Sequence, residues 1–259
     1  MGKKYEFTGE TKTWLGITLH RIKAAVKIDL GWTTIEIGDL GGWIEKETNL
    51  SHYGNAWVYG NAWVYGNAEV CGNARVCDNA WVCGNAWVCG NARVCDNARV
   101  CDNARVYDNA EVCDNAWVCD NAWVYGDAWV YGNARVYGDA WVYGNARVYG
   151  DALVYGDAWV YGNARVYGDA EVYGNAEVCG NAEVMKVTHY MIFGPAGSRH
   201  SFTTFYRNTH NGISVKCGCF NGTIDEFVAK VESTHGESKH AKVYKLAVEL
   251  AKEQIELEG

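Results

Sequence analysis

A valine recurs every six residues from Val58 to Val184 without a break, 22 in all, and each is preceded two positions earlier by an alanine, Ala56 to Ala182. The unit reads A-x-V-[Y/C]-[G/D]-[N/D], where x is Trp, Arg, Glu or, once, Leu153, and Met185 replaces Tyr or Cys at the end. Fixed periodicity with no insertion is the mark of a solenoid, in which each unit can bury its apolar face only against its neighbours.

In extended backbone, successive side chains point to opposite faces, so the constant Ala and Val share one side and x and Tyr/Cys the other. The constant pair faces inward. The following Gly-Asn, Asp-Asn or Gly-Asp pair supplies residues that tolerate a left-handed backbone, as a sharp corner requires. Each hexad therefore predicts one short strand and one corner. Three hexads close a triangular coil, giving about seven coils stacked at roughly 4.8 Å, a rod of about 35 Å.

The pattern V-Y-G-N-A-W resembles the hexapeptide-repeat superfamily, which implies a left-handed parallel β-helix. The flanks GDLGGWIEKETNLS (Gly38 to Ser51) and CGCFNGTIDEF (Cys217 to Phe227) resemble those of bacterial and prophage hexapeptide-repeat proteins. If the chain is prophage-encoded, that resemblance implies an accessory protein that sequesters a host component. Acyltransferases of the superfamily use a His base and its carbonic anhydrases hold zinc through His. This repeat departs from both, with no His between His52 and His189 and no Ser, Thr or Lys between Ser51 and Lys186. Cys and Tyr are then its only nucleophiles, with no base beside them. The expectation is a non-enzyme with no cofactor, no catalytic residue and no metal.

Three parts are expected: an N-terminal β cap over 1-52, the solenoid over 53-187, and a small α+β domain over 188-259. Caps are needed because an open solenoid end would polymerise. Lys4 to Phe7, Thr18 to Ile28 and Thr33 to Ile37 have strand-like runs; Gly41-Gly42 is read as a flexible entry and Trp43 as the plug of the first coil. Beyond Met185, His189 to Phe193, Ser201 to Tyr206 and Gly212 to Cys217 read as strands, with turns at Pro195 to Gly197 and Asn208 to Asn211. Thr223 and Glu226 form a capping box for a helix to about Ser233, and His240 to Leu257 has the spacing of an amphipathic helix.

If positions 18 apart stack, the x residues form three columns: Glu69, Trp87, Arg105, Trp123, Trp141, Trp159, Glu177; then Trp63, Trp81, Arg99, Trp117, Arg135, Leu153, Glu171; and Trp57, Arg75, Arg93, Glu111, Trp129, Arg147, Arg165, Glu183. Trp87, Trp123, Trp141, Trp159, Arg75, Arg93 and Arg105 are the candidate binding residues. Trp123, Trp141 and Trp159 read as an apolar strip for a protein partner or for lateral packing into a homotrimer. The plainer reading is that the rings and arginines shield the sheet and one another. Cysteines also stack, as Cys77-Cys95-Cys113, Cys83-Cys101-Cys119 and Cys71-Cys89, and reduced structural thiols are expected over a disulfide staple or metal ladder. Corner columns such as Asp78, Asp96, Asp114 read as solvated carboxylates before divalent-cation ligands.

Of 11 cysteines, nine lie at one repeat position, so a secreted disulfide framework is not implied. The segment from Tyr53 to Val187 holds seven Arg and one Lys against five Glu and eleven Asp, which accounts for the whole formal charge of −8. An acidic rod disfavours nucleic acid. The sequence MGKKYEFTGETKTWLG lacks the apolar run of a signal peptide, and no stretch approaches the roughly 18 apolar residues of a membrane span, so a soluble cytoplasmic protein is expected.

The leading function is a non-catalytic scaffold that presents its Trp/Arg and Tyr/Cys ladders to an unknown protein partner or for self-assembly. Two alternatives stay open. One is sequestration of an anionic nucleotide at a subunit interface by Arg75 and Arg93 with Trp57 or Trp129. The other is a transferase that borrows His189 or His200, residue types the solenoid lacks; a zinc site from Cys217, Cys219 and two histidines is weighed against ordinary strand and turn residues.

Overall fold

The computed structural model describes residues 2–31 and 33–257. Ahead of the repeat lie β1 (Tyr5–Trp14), β2 (Ile17–Ala24), β3 (Ile28–Asp29), β4 (Thr34–Ile35) and β5 (Leu40–Ile44). Every hexad then contributes one two-residue strand, from β6 (Trp57–Val58) to β27 (Glu183–Val184). After it come β28 (Tyr190–Ala196), β29 (Ser201–Arg207), β30 (Ile213–Cys217), β31 (Phe220–Thr223), α1 (Ile224–His235) and α2 (Lys239–Gln254).

The hexad strands pair in parallel with strands three hexads away, so Val58 faces Val76 and Trp87 faces Arg105. This produces three sheets along the rod. Face I holds the column from Trp63 to Glu171, face II that from Glu69 to Glu177, and face III that from Trp57 to Glu183. Each of the repeat's alanines and valines is at most 1% exposed and belongs to one continuous core. Alanine is the partner of valine there because the axis of a narrow three-sided coil leaves room for little more than a methyl group.

Corners follow from backbone geometry. The first corner residue always has positive φ, glycine in most hexads and aspartate at Asp78, Asp96, Asp102, Asp108, Asp114 and Asp120, where φ is 57–60°. Asp tolerates this region because its short polar side chain bonds locally. Here it bonds to the next layer: Asp114 Oδ2 accepts from Gly132 N at 3.0 Å and Asp120 Oδ2 from Gly138 N at 3.1 Å. The second corner residue builds amide ladders, such as Asn67 to Asn85 to Asn103 to Asn121, with rungs of 3.0–3.2 Å.

The coils number about eight, one more than the valines alone supply. β5 pairs with the Trp63–Val64 strand, and Leu50 bridges Val70, so Ile44, Leu50 and Val58 line an additional first layer. Ile44 points into the core, whereas Trp43 lies outside it, with Lys12 Nζ 4.0 Å from its ring and Arg21 5.5 Å away. Trp43 therefore does not plug the coil; the alternation of β5 sends its neighbour inward. Gly41 and Gly42 are buried in that strand, not a flexible entry. A Cβ on Gly41 would meet Val58 O at 2.7 Å and one on Gly42 would meet Ala62 O at 2.8 Å. β2 and β1 extend the same sheet antiparallel beyond β5, and Tyr5, Ile22, Ile28 and Leu30 join the core.

At the far end β29 lies across the last coil. Glu177 N donates to Thr204 Oγ1 at 2.9 Å, Thr209 N to Asn181 O at 3.0 Å, and Tyr206 Oη meets Cys179 Sγ at 3.2 Å. The C-terminal region is a four-stranded antiparallel sheet, β28-β29-β30-β31, with both helices packed on it. The capping box forms, with Glu226 N donating to Thr223 Oγ1 and Thr223 N to Glu226 Oε2. Two readings shift. Pro195 sits within β28 and the turn follows at 197–200, and Phe220–Thr223 adds a fourth strand.

Candidate functional site

The parallel register converts the sequence columns into surface rows. On face II, Trp123 and Trp141 stack at 5.0 Å with their planes 2° apart, and Trp141 and Trp159 at 5.2 Å. Arg105 bridges the row, 4.8 Å from the Trp123 ring and 6.0 Å from Trp87. Thus Trp87, Arg105, Trp123, Trp141 and Trp159 form one unbroken row. Arg75 and Arg93 are neighbours on face III and do not share it.

A second row runs beside the first, one of the expected Tyr/Cys ladders, whose individual tyrosines the sequence columns did not name. Tyr107, Tyr125, Tyr143 and Tyr161 stack at 4.8–4.9 Å, and Tyr107 and Tyr125 meet Trp123 and Trp141 edge-on at 6.1 and 6.2 Å. The signal was there in four tyrosines spaced 18 apart. Burial raises these hydroxyls, Tyr107 and Tyr143 to about 12, so they stay neutral donors. Because the inner rings occupy each other's faces, the surface shows ring edges rather than open platforms. Such a strip suits a flat apolar partner and offers little to a sugar or base that must stack.

The residues of the nucleotide alternative are placed differently. Trp57 is fully buried, with Tyr5 edge-on at 6.5 Å, so it has no face to offer a base. Arg75 donates to Leu30 O, and Arg147 lies 5.1 Å over Trp129.

His189 and His200 do not meet. His189 is fully buried at the solenoid's end, where its Nδ1 accepts from Met185 N at 3.3 Å. His200 lies in the turn between β28 and β29. A cavity of about 250 Å³ in the C-terminal region is lined by Arg199, Cys217, Phe227, Lys230, His235 and Tyr244 among others, and neither histidine borders it. Cys217 Sγ accepts from Thr203 Oγ1 at 3.1 Å, while Cys219 is exposed. Among the described residues, no grouping of three metal-capable side chains includes either cysteine.

Such groupings occur within the repeat: Cys95, Asp96 and Cys113, and Cys101, Asp102 and Cys119. The thiols hydrogen-bond along their columns. Hydrogen bonding with the shared neighbour Cys101, whose single S–H can serve one of them at a time, brings Cys83 down to about 7 and lowers Cys119. All 11 cysteines are free thiols.

Three parallel sheets wound into one continuous core define a β-solenoid repeat protein. Residues 68–90, 98–114, 128–144, 146–162 and 158–174 match the family described as the YdcK beta solenoid repeat, to which the hexad array is therefore similar. No curated protein matches the chain. Among the described residues no helix is long and apolar enough to cross a membrane.

Proposed function

We propose that the chain is a non-catalytic scaffold whose face II docks against a flat protein surface, with a second copy of the chain as its first partner and a homotrimer as the assembly. The observation that carries this reading is the paired Trp and Tyr rows, which place seven stacked rings side by side on one rigid sheet. Rigid aromatics lose little conformational entropy on docking and dominate interface energetics. Charged residues, Glu69 and Glu177, end the Trp row and set its length.

Within this reading the coil is left-handed and the N-terminal sheet is a cap. The parts are 1-52, 53-187 and 188-259, with the first coil borrowing β5 and Leu50 from the N-terminal part. The kin are bacterial and prophage hexapeptide-repeat proteins, and the location is cytoplasmic. The resemblance of the repeat and flanks supports the handedness and kinship. Cysteines placed by the repeat, not by a disulfide framework, support a reducing compartment.

Sedimentation velocity of the wild type and of a Trp123→Glu/Trp141→Glu variant tests the docking face. The expected result is an assembly of the wild type that the variant loses while keeping its far-UV spectrum. Equal sedimentation of the two would remove face II as the contact.

A further inference from the structure

The scaffold reading leaves the thiol columns without a role, and their chemistry points elsewhere. Six aspartates occupy a first corner position, and five of them, Asp78, Asp96, Asp102, Asp114 and Asp120, directly follow a cysteine; only Asp108 follows a tyrosine. The repeat thus sets a carboxylate beside a thiol, and stacking sets a second thiol above both. In two places the sulfurs and the carboxylate oxygen come within 4.8 Å of one another: Cys95, Asp96 and Cys113, and Cys101, Asp102 and Cys119.

We propose that these two clusters bind a monovalent thiophilic ion, Cu(I), each as a two-coordinate bis-thiolate that bridges adjacent layers of the rod. A zinc–thiolate bond is about 2.3 Å, and two metal–sulfur bonds of that order in line span about 4.6 Å, within reach of sulfurs that lie no more than 4.8 Å apart. A direct disulfide needs the sulfurs at about 2.05 Å and so a rotation of both side chains. The donor set selects among ions. A hard divalent cation takes at least six oxygens, and each cluster offers one carboxylate. A closed zinc site takes four donors, usually Cys or His, and the repeat has no His. Thiols held in a line suit a soft ion of low coordination number.

The step is a ligand exchange without redox. Two thiols release their protons to solvent, two sulfur–copper bonds form, and the donor complex gives up its Cu(I). The product carries one net negative charge. Arg99, held 4.7 and 4.9 Å from the Trp81 and Trp117 rings, and Arg135, 5.1 Å from Trp117, supply positive charge on the same face. Their fields act on Cys83 and Cys119 respectively, and Arg93 plays the same part beside Cys77 and Cys95.

The test titrates reduced full-length chain, without oxygen, into the coloured Cu(I)–bicinchoninate complex and reads the loss of colour. Wild type is expected to withdraw Cu(I), and Cys95→Ser/Cys101→Ser to withdraw less by one ion for each column. Cys113→Ser/Cys119→Ser should show the same deficit, which guards against a folding defect in either variant. Cys217→Ser/Cys219→Ser should match wild type. Equal uptake by wild type and both column variants, or no uptake by wild type, overturns the assignment. The outcome is independent of the solution mass, so this proposal and the scaffold reading fail separately.

Discussion

Asn121 donates its side-chain amide to the carboxylate of Asp139 in the next layer at 3.0 Å, and there the ladder that began at Asn67 stops. An amide both donates and accepts, so it passes the chain of bonds onward; a carboxylate only accepts. Asp139 stacks below Asp157, which in turn accepts from Asn175 at 3.5 Å, so two like charges occupy neighbouring rungs. Asp139→Asn/Asp157→Asn is expected to raise the midpoint of thermal unfolding, each new rung contributing about 1 kcal/mol. Asn103→Ala, which removes a donor and an acceptor mid-ladder, should lower it. A fall in the first variant would show that the carboxylates serve the corner.

Gly41 and Gly42 make a tight seam between the repeat and what precedes it. With carbonyl oxygens 2.7–2.8 Å from any added Cβ, Gly42→Ala is expected to destabilise by about 1–3 kcal/mol, as overpacking does in a rigid core. Urea unfolding measures it. A neutral result would mean that β5 can move off the first coil.

Burial holds His189 below the ordinary imidazole range, with Arg207 and Lys186 adding to the shift and Glu256 opposing it. The folded pKa is depressed, so as pH falls below about 6.5 the unfolded chain takes up the proton first and stability is lost. Protonation also removes the acceptor for Met185 N. His189→Asn should flatten the stability–pH curve between 7 and the lowered folded value, as read by urea midpoints across pH at about 25 °C. An unchanged acid slope would assign the loss to other groups.

The strands of the repeat were legible because period, burial and corner chemistry agree in every hexad. The first coil was not. Ile44 and Leu50 replace valine, and Ile44 pairs with Val64, a step of 20 residues, where Val58 pairs with Val76, a step of 18. Two additional residues between Leu50 and Ala56 break the period that marked the rest. The Trp columns were legible from register alone, because invariant spacing leaves one way to stack. The burial of Trp57 under Tyr5, residues 52 apart in sequence, depends on a long-range contact that no local pattern carries. Isolation of His189 from His200 is likewise set by how β28 and β29 lie on the last coil.

Assembly through face II is read from the solution mass by light scattering. The expected result is a trimer whose mass is the same with and without reductant and which Trp123→Glu/Trp141→Glu converts to monomer. A wild-type mass of about 28.7 kDa at every concentration would contradict it.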